Sequence, residues 1–223
     1  MSERALATLL DRTAQFHEAV LDHVGKLAPA DDLRHVVAFQ AGLLSLEHAA
    51  GTIVLVAQGF QSSAYALLRP QFECLVRGVW LLHAADDRWI AKLAQPLTLE
   101  SAKHANDAPM LAEMLKQLDK APDSPRHIVE QLKQYRDTAW KALSSYVHGG
   151  LHPLARRESG YPIELTLGVV RNSNGILALT AQLQSILSGD PSNMEPVRRM
   201  HVEFADCLPL LTARSQGGAE DRA

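Results

Sequence analysis

Two cysteines in 223 residues, Cys74 and Cys207, make neither a disulfide framework nor a CxxC metal or redox motif. Both fall in apolar helical patterns, which predicts buried, reduced thiols and a cytoplasmic setting. The chain also lacks a Gly-rich loop following a strand, a GxSxG elbow, an HExxH helix and paired ExxH motifs. Those absences argue against phosphate-cradling nucleotide folds, α/β-hydrolases, zinc peptidases and di-iron bundles. Basic charge is not in excess: 22 Lys and Arg face 25 Asp and Glu, for a net charge of −3. Broad sequence-independent binding to nucleic acid is thereby disfavoured, since its affinity comes from clustered cations on phosphates. The adjacent pairs Arg156-Arg157 and Arg198-Arg199 read as solvated surface, and no helix-turn-helix with a basic recognition helix is evident, so DNA is not an expected partner.

No linker rich in Gly, Ser or Pro divides the chain, so a single helical-bundle domain is expected over residues 1–214, with a disordered tail over 215–223. The start, MSERALATLLDRT, is charged throughout and unlike a signal peptide. Ala49 to Leu68 is free of charge and long enough to span a bilayer, but Gln58, Gly59, Gln61, Ser62 and Ser63 interrupt it and read as a turn. The protein is therefore expected to be soluble, without a membrane partner.

What the sequence has is helical periodicity almost everywhere and no alternation that would mark a strand. The fold class expected is all-α, an antiparallel bundle of four to five long helices plus short extras. A first helix runs from Glu3 to Val24 and stops at Gly25. Asp31 or Asp32 caps a second, through about Gln58, in which Ala49, Ala50 and Gly51 allow close approach of a neighbour. Ser62 or Ser63 caps a third, kinked at Pro70. Asp86-Asp87 opens a short segment to about Gln95, and one or two helices follow between Leu97 and Leu118. Ser124 as cap with Pro125 at the first helical position starts a helix to His148, stopped by Gly149-Gly150. Leu151 to Pro162 reads as a loop, and Ile163 to Leu187 and Asn193 to about Ala213 as the last two helices.

Three polar groups stand out in this apolar background. Arg69, Glu73 and Arg77 recur every four residues inside SSAYALLRPQFECLVRGVWLLH, so they form one stripe, expected to be largely withdrawn from water. Two guanidinium groups around one carboxylate leave surplus positive charge, which suits an anionic ligand or a structural ion network. Loss of Glu73 from a fully buried network would cost on the order of 3–5 kcal/mol. The segment SSYVHGGLH places Tyr146, His148 and His152 around a helix end whose partial negative charge favours an imidazolium. No metal is expected there, because the glycines end the helix before His152 and no acidic or thiol ligands accompany the two imidazoles. No cofactor is expected. Finally Arg171 and Asn174, with Gly175 and Gln182, form a polar face on an apolar helix, and His48 beside Glu47 is a core histidine candidate.

LLRPQFECLVRGVWLL followed by SSYVHGG resembles uncharacterised bacterial helical families with an R-x-x-x-E core helix and a helix ending in His-Gly. These in turn look distantly like the HEPN superfamily of helical bundles, which often dimerise and include RNA-cleaving toxins, anti-phage effectors and nucleotide-binding modules. The resemblance implies a HEPN-like bundle, a homodimer, and either a nucleotide-like ligand or RNA as partner. HEPN ribonucleases carry an Arg followed after four to six residues by a His. Arg12 to His17 and Arg77 to His83 match that spacing, although Gly78 stands where the family has a polar residue. The candidate catalytic residues of such a metal-independent ribonuclease are His148, His83 and Arg77. Three functions follow as alternatives: an interhelical pocket for a small anionic or nucleotide-like ligand formed by Arg69, Glu73, Arg77, Tyr146, His148, His152, Arg171 and Asn174, a ribonuclease, or an interaction module without a ligand.

Overall fold

The computed structural model describes residues 3–96, 98–103 and 108–209, and among them every regular element is helical. In chain order these are α1 (Glu3–Val24), α2 (Leu33–Ala57), α3 (Gln61–His83), α4 (Asp87–Leu93), α5 (Leu99–Lys103), α6 (Leu111–Lys120), α7 (Arg126–Val147), α8 (Leu151–Ser159), α9 (Ile163–Leu187) and α10 (Met194–Glu203). Helices α1, α2, α3, α7 and α9 are the long ones, and the fold is the all-α bundle that the periodicity predicts.

Helix α3 lies at the centre, with α2 and α9 packed on one side and α6 and α7 on another, while α1 and α10 cover α9. Small residues set the first of these contacts. A Cβ on Gly78 would sit 2.7 Å from Leu183 Cδ2 and 3.3 Å from the Ala38 carbonyl, and one on Gly42 would fall 2.8 Å from the Gln184 side chain. Glycine at both positions lets α2, α3 and α9 approach closely. Between them lies a buried polar knot: Gln71 Nε2 donates to the Ser173 carbonyl, Ser173 Oγ donates back to Gln71 Oε1, and Ser45 Oγ donates to the Gln71 carbonyl, each at 2.9 Å. Because the knot is internally satisfied, it fixes the register of the three helices without leaving a desolvated orphan. Around it the core is aliphatic and aromatic, with Phe72, Leu75, Val76 and Trp80 at most 1% exposed.

Helix ends depart from expectation where another contact wins. Asp32 caps α2 by accepting the Arg34 N–H at 2.8 Å, as its residue type predicts. The predicted serine caps fail. Helix α3 begins at Gln61 with Phe60 in the cap position, and Ser62 instead pairs with the Tyr161 hydroxyl. Helix α7 begins one residue late, with Pro125 as its cap residue, leaving Ser124 Oγ buried and unpaired. Helix α3 is unbroken through Pro70, whose missing N–H leaves the Ala66 carbonyl without its usual donor. Leu151 to Ser159, expected as loop, is helix α8; Pro153 sits in its first turn, where a missing N–H costs nothing, and Gly160 ends it at φ +78°. The last helix is shorter than expected, because the chain leaves α10 at Phe204 and turns through a 3-10 segment, Ala205–Cys207. Cys207 is buried and Cys74 only half-buried, and both are free thiols. The tail over 215–223 lies outside the described residues.

Candidate functional site

Two four-residue ladders meet where α3 crosses α7. On α3 the ladder is Tyr65, Arg69 and Glu73, and on α7 it is Trp140, Ser144 and His148, each set projecting from one helix face. Arg69 joins them. Its Nε donates to Glu73 Oε1 at 2.9 Å, and its Nη1 reaches Ser144 Oγ at 3.3 Å and His148 Nε2 at 3.2 Å. Its guanidinium carbon lies 4.3 Å from the centroid of the Trp140 ring, a cation–π stack. Arginine has donors only, so in this contact His148 Nε2 is the acceptor. Nη2 has no partner among the described residues. The guanidinium is thus oriented by four side chains while Nη2 stays open.

The next turn toward α8 is aromatic. Tyr65 makes edge contacts with Tyr146 and Tyr161 at centroid separations of 5.2 and 5.3 Å, and donates or accepts a 2.7 Å bond with Thr166 Oγ1. Burial pushes the Tyr65 hydroxyl up to about 12, and it raises the Tyr146 hydroxyl as well, against the pull of the nearby Arg156. A glycine pair builds the corner. Gly149 takes φ +63°, which favours glycine, and the Gly150 N–H closes back onto the Ser145 carbonyl at 2.8 Å. A Cβ on Gly150 would meet Ser145 Oγ at 2.7 Å, the same hydroxyl that accepts the His152 N–H at 3.1 Å. His152 is exposed, its ring 6.1 Å from that of Tyr146.

Of the residues singled out in the sequence, Arg69, Glu73, Tyr146, His148 and His152 therefore come together. The stripe itself is less buried than its apolar surroundings imply: the Arg69 and Glu73 side chains are 17% and 31% exposed, because α7 covers only one flank of α3. Arg77 is half-buried and forms no ion pair or hydrogen bond among the described residues, so the predicted three-member network is a pair. His83 ends α3 half-buried, its pKa lowered chiefly by desolvation.

Arg171 and Asn174 do not join this site. Buried Asn174 turns toward α1 and the C-terminal turn, its Nδ2 donating to Thr13 Oγ1 at 2.8 Å and to the Cys207 carbonyl at 2.9 Å. Arg171 is half-buried with its Nε unpaired. Gln182 and His48 are half-buried elsewhere on α9 and α2. The two Arg-to-His spacings also come apart: Arg12 pairs with Asp206 at 3.2 Å and stacks on Phe204, while His17 is buried behind it. Burial holds His17 neutral, its pKa lowered to about 4 although Asn174 pulls the other way. Among the described residues no three His, Cys, Asp or Glu side chains converge as a metal site would need. A surface cleft of about 470 Å³ lies away from the ladders, between α6 and α7, lined by Asp119, Arg126, His127, Glu130, Gln131 and Gln134.

Trp140, Ser144, Tyr65, Tyr161 and Arg156 were missed by the reading of motifs. The signal for the first two was present, since Trp140, Ser144 and His148 repeat every four residues just as Arg69, Glu73 and Arg77 do. The three tyrosines gather only through the fold.

A family model described as a family of unknown function, DUF6988, matches residues 42–210, from the middle of α2 to just past the final turn. No curated protein and no solved structure matches the chain.

Proposed function

The chain belongs to a family of unknown function, and on the geometry of its site we propose that the junction of α3, α7 and α8 binds a small anionic ligand bearing a phosphate group. One observation carries this reading: Arg69 is held by Glu73, Ser144, His148 and Trp140 with its Nη2 edge unoccupied. A guanidinium fixed in this way needs little reorganisation to donate from Nη2 to a phosphate oxygen. Arg156, within electrostatic reach of Tyr65 and Tyr146, adds a cation from a third helix, against a single carboxylate. Tyr146 and His152, whose ring centroids lie 6.1 Å apart on the α8 side of the junction, offer aromatic surface that favours a nucleotide-like ligand over bare phosphate.

The test is thermal unfolding in inorganic phosphate and in AMP, with a chelator present. The melting temperature rises with ligand concentration, by an amount following RT ln(1 + [L]/Kd), more steeply for AMP, and Arg69→Gln abolishes the rise. A wild-type melting temperature that neither anion moves at millimolar concentration contradicts the reading. Ribonuclease chemistry in a HEPN-like protein is the second reading, favoured by the Arg69–His148 contact. In that reading His148 is the acid or base and Arg69 steadies the phosphate. Its weakness is that the His148 Nε2 lone pair is already engaged by Arg69. Cleavage of labelled RNA in chelator, lost in His148→Ala, would establish it over simple binding.

A further inference from the structure

One of the contacts that orient Arg69 is a contact that a proton removes. His148 Nε2 lies 3.2 Å from Arg69 Nη1, and because a guanidinium has donors only, the contact exists only while Nε2 keeps its lone pair. An imidazole protonated at both nitrogens has no acceptor left and meets Arg69 as one cation meets another. Doubly protonated His148 and the Arg69 contact therefore exclude each other. The other restraints on the guanidinium survive the loss: Glu73 Oε1 holds Nε at 2.9 Å, Ser144 Oγ stands 3.3 Å from Nη1, and the Trp140 ring stacks on its plane.

His148 is placed to move. It closes α7, it is exposed, Gly149 follows it at φ +63°, and Arg69 is the one hydrogen-bond partner of its ring among the described residues. When the ring draws back, Nη1 regains a free N–H beside the open Nη2, and the two make the parallel pair that grips two oxygens of one anion. The imidazolium adds a third donor across the gap. An oxygen accepting from both Nη1 and the ring stands about 2.8 Å from each, so the 3.2 Å separation widens as the anion enters. Charged and titratable groups come to this corner from three helices: Arg69 and Glu73 from α3, Tyr146 from α7 with Lys141 two turns back, and His152 and Arg156 from α8. The cations among them resist a charged imidazole, whereas Glu73, the helix end and above all a bound dianion favour it.

Resting on the anion reading of this junction, we propose that binding is coupled to uptake of one proton from solvent by His148, and that the group bound is a terminal phosphate. Its three free oxygens meet Arg69 Nη1, Arg69 Nη2 and the imidazolium, whereas a phosphodiester has two and leaves one donor unmet. The coupling runs both ways. An anion at this corner favours the proton, so the proton favours the anion by the same factor.

Calorimetric titration with sodium sulfate at pH 6 and pH 8 isolates the protein's proton, since sulfate keeps its double charge across the range in which imidazole titrates. Wild type is expected to bind about fivefold more tightly at pH 6, the low end for coupled sites because His148 is exposed. His148→Gln, which keeps an acceptor for Nη1 and does not titrate, binds sulfate alike at both pH values. A second series at pH 6 compares AMP with its 3′,5′-cyclic diester, and AMP binds the more tightly. Sulfate affinity that is equal at both pH values in wild type, or a pH dependence that persists in His148→Gln, overturns the proton coupling and leaves the anion reading standing. Equal affinity for AMP and the cyclic diester overturns the terminal-phosphate assignment in the same way. Failure of wild type to bind either sulfate or AMP at both pH values overturns the anion reading itself, and the coupling with it.

Discussion

Helix α3 meets its neighbours in two different ways. Toward α2 and α9 the contact is made by what is missing, with glycines at 42 and 78 bringing backbones together and a closed knot of Ser45, Gln71 and Ser173 bonding across. Toward α7 the contact is made by long side chains, Arg69 on Trp140 and Phe72 on Tyr135 at 4.7 Å, with the Arg69–Glu73 pair partly exposed at the rim. A backbone-to-backbone seam has one arrangement and no room for a guest. A seam of long polar side chains can take on a further partner where one of them keeps an unused donor, as Arg69 does at Nη2. The first contact therefore serves the fold, and the second is where ligand chemistry is available.

That division is broken most directly at Gly78. Gly78→Val forces branched atoms into Leu183 and the Ala38 carbonyl, and denaturant unfolding is expected to show a loss of about 3 kcal/mol or more, at the upper end for overpacked cores. A loss under 1 kcal/mol would mean that α2 and α9 can give way as α7 can.

Desolvation in the closed half gives the next largest effect. Folded His17 takes up a proton only near pH 4, whereas the unfolded chain does so near 6.5. Between those values the unfolded state binds more protons, so stability falls as pH drops through the window, by about 3 kcal/mol at its acid end, and is intact above it. His23 and His83, also lowered by burial, act in the same direction. Chemical denaturation from pH 7 to 4 should show this slope, and His17→Leu should flatten it.

At the open seam, Glu73→Gln is expected to cost about 1 kcal/mol rather than the loss appropriate to a buried network, since a pair exposed this far is screened by solvent. Lys26→Ala, which removes a surface pair with Asp22 whose side chains are more than two-thirds exposed, should change stability by less than about 0.5 kcal/mol. A larger loss at Lys26 than at Glu73 would erase the distinction between the two kinds of contact.

The fold was largely legible because long helices write their period into the chain: the boundaries at Val24, Asp32 and Val147 fall within a residue of where capping residues and glycines put them. Helix α8 was hidden because it buries none of its residues, so it needs no apolar stripe, and Pro153 and Gly160 read as breakers. Ser62 misled because a serine hydroxyl serves a cap or a tertiary partner equally well, and Tyr161 is distant in sequence, whereas Ser124 misled because α7 begins a residue later and leaves its hydroxyl buried and unpaired. The site was half legible. Arg69, Glu73 and His148 announced themselves as charge or glycine-flanked imidazole in apolar surroundings, but their convergence depends on how far α7 is rotated about its axis. Asn174 shows the same limit from the other side, since its position on α9 gave no sign of whether it would face α7 or α1.

The account turns on whether Arg69 is a binding group or only a clasp between helices, and calorimetric titration of Glu73→Gln with AMP separates the two. If Arg69 binds the ligand, wild type gives saturable heat. Removing the competing carboxylate then tightens the affinity several-fold even though the protein becomes slightly less stable. If neither protein binds, or if Glu73→Gln binds more weakly in proportion to its lost stability, the junction is a structural clasp and the central claim is wrong.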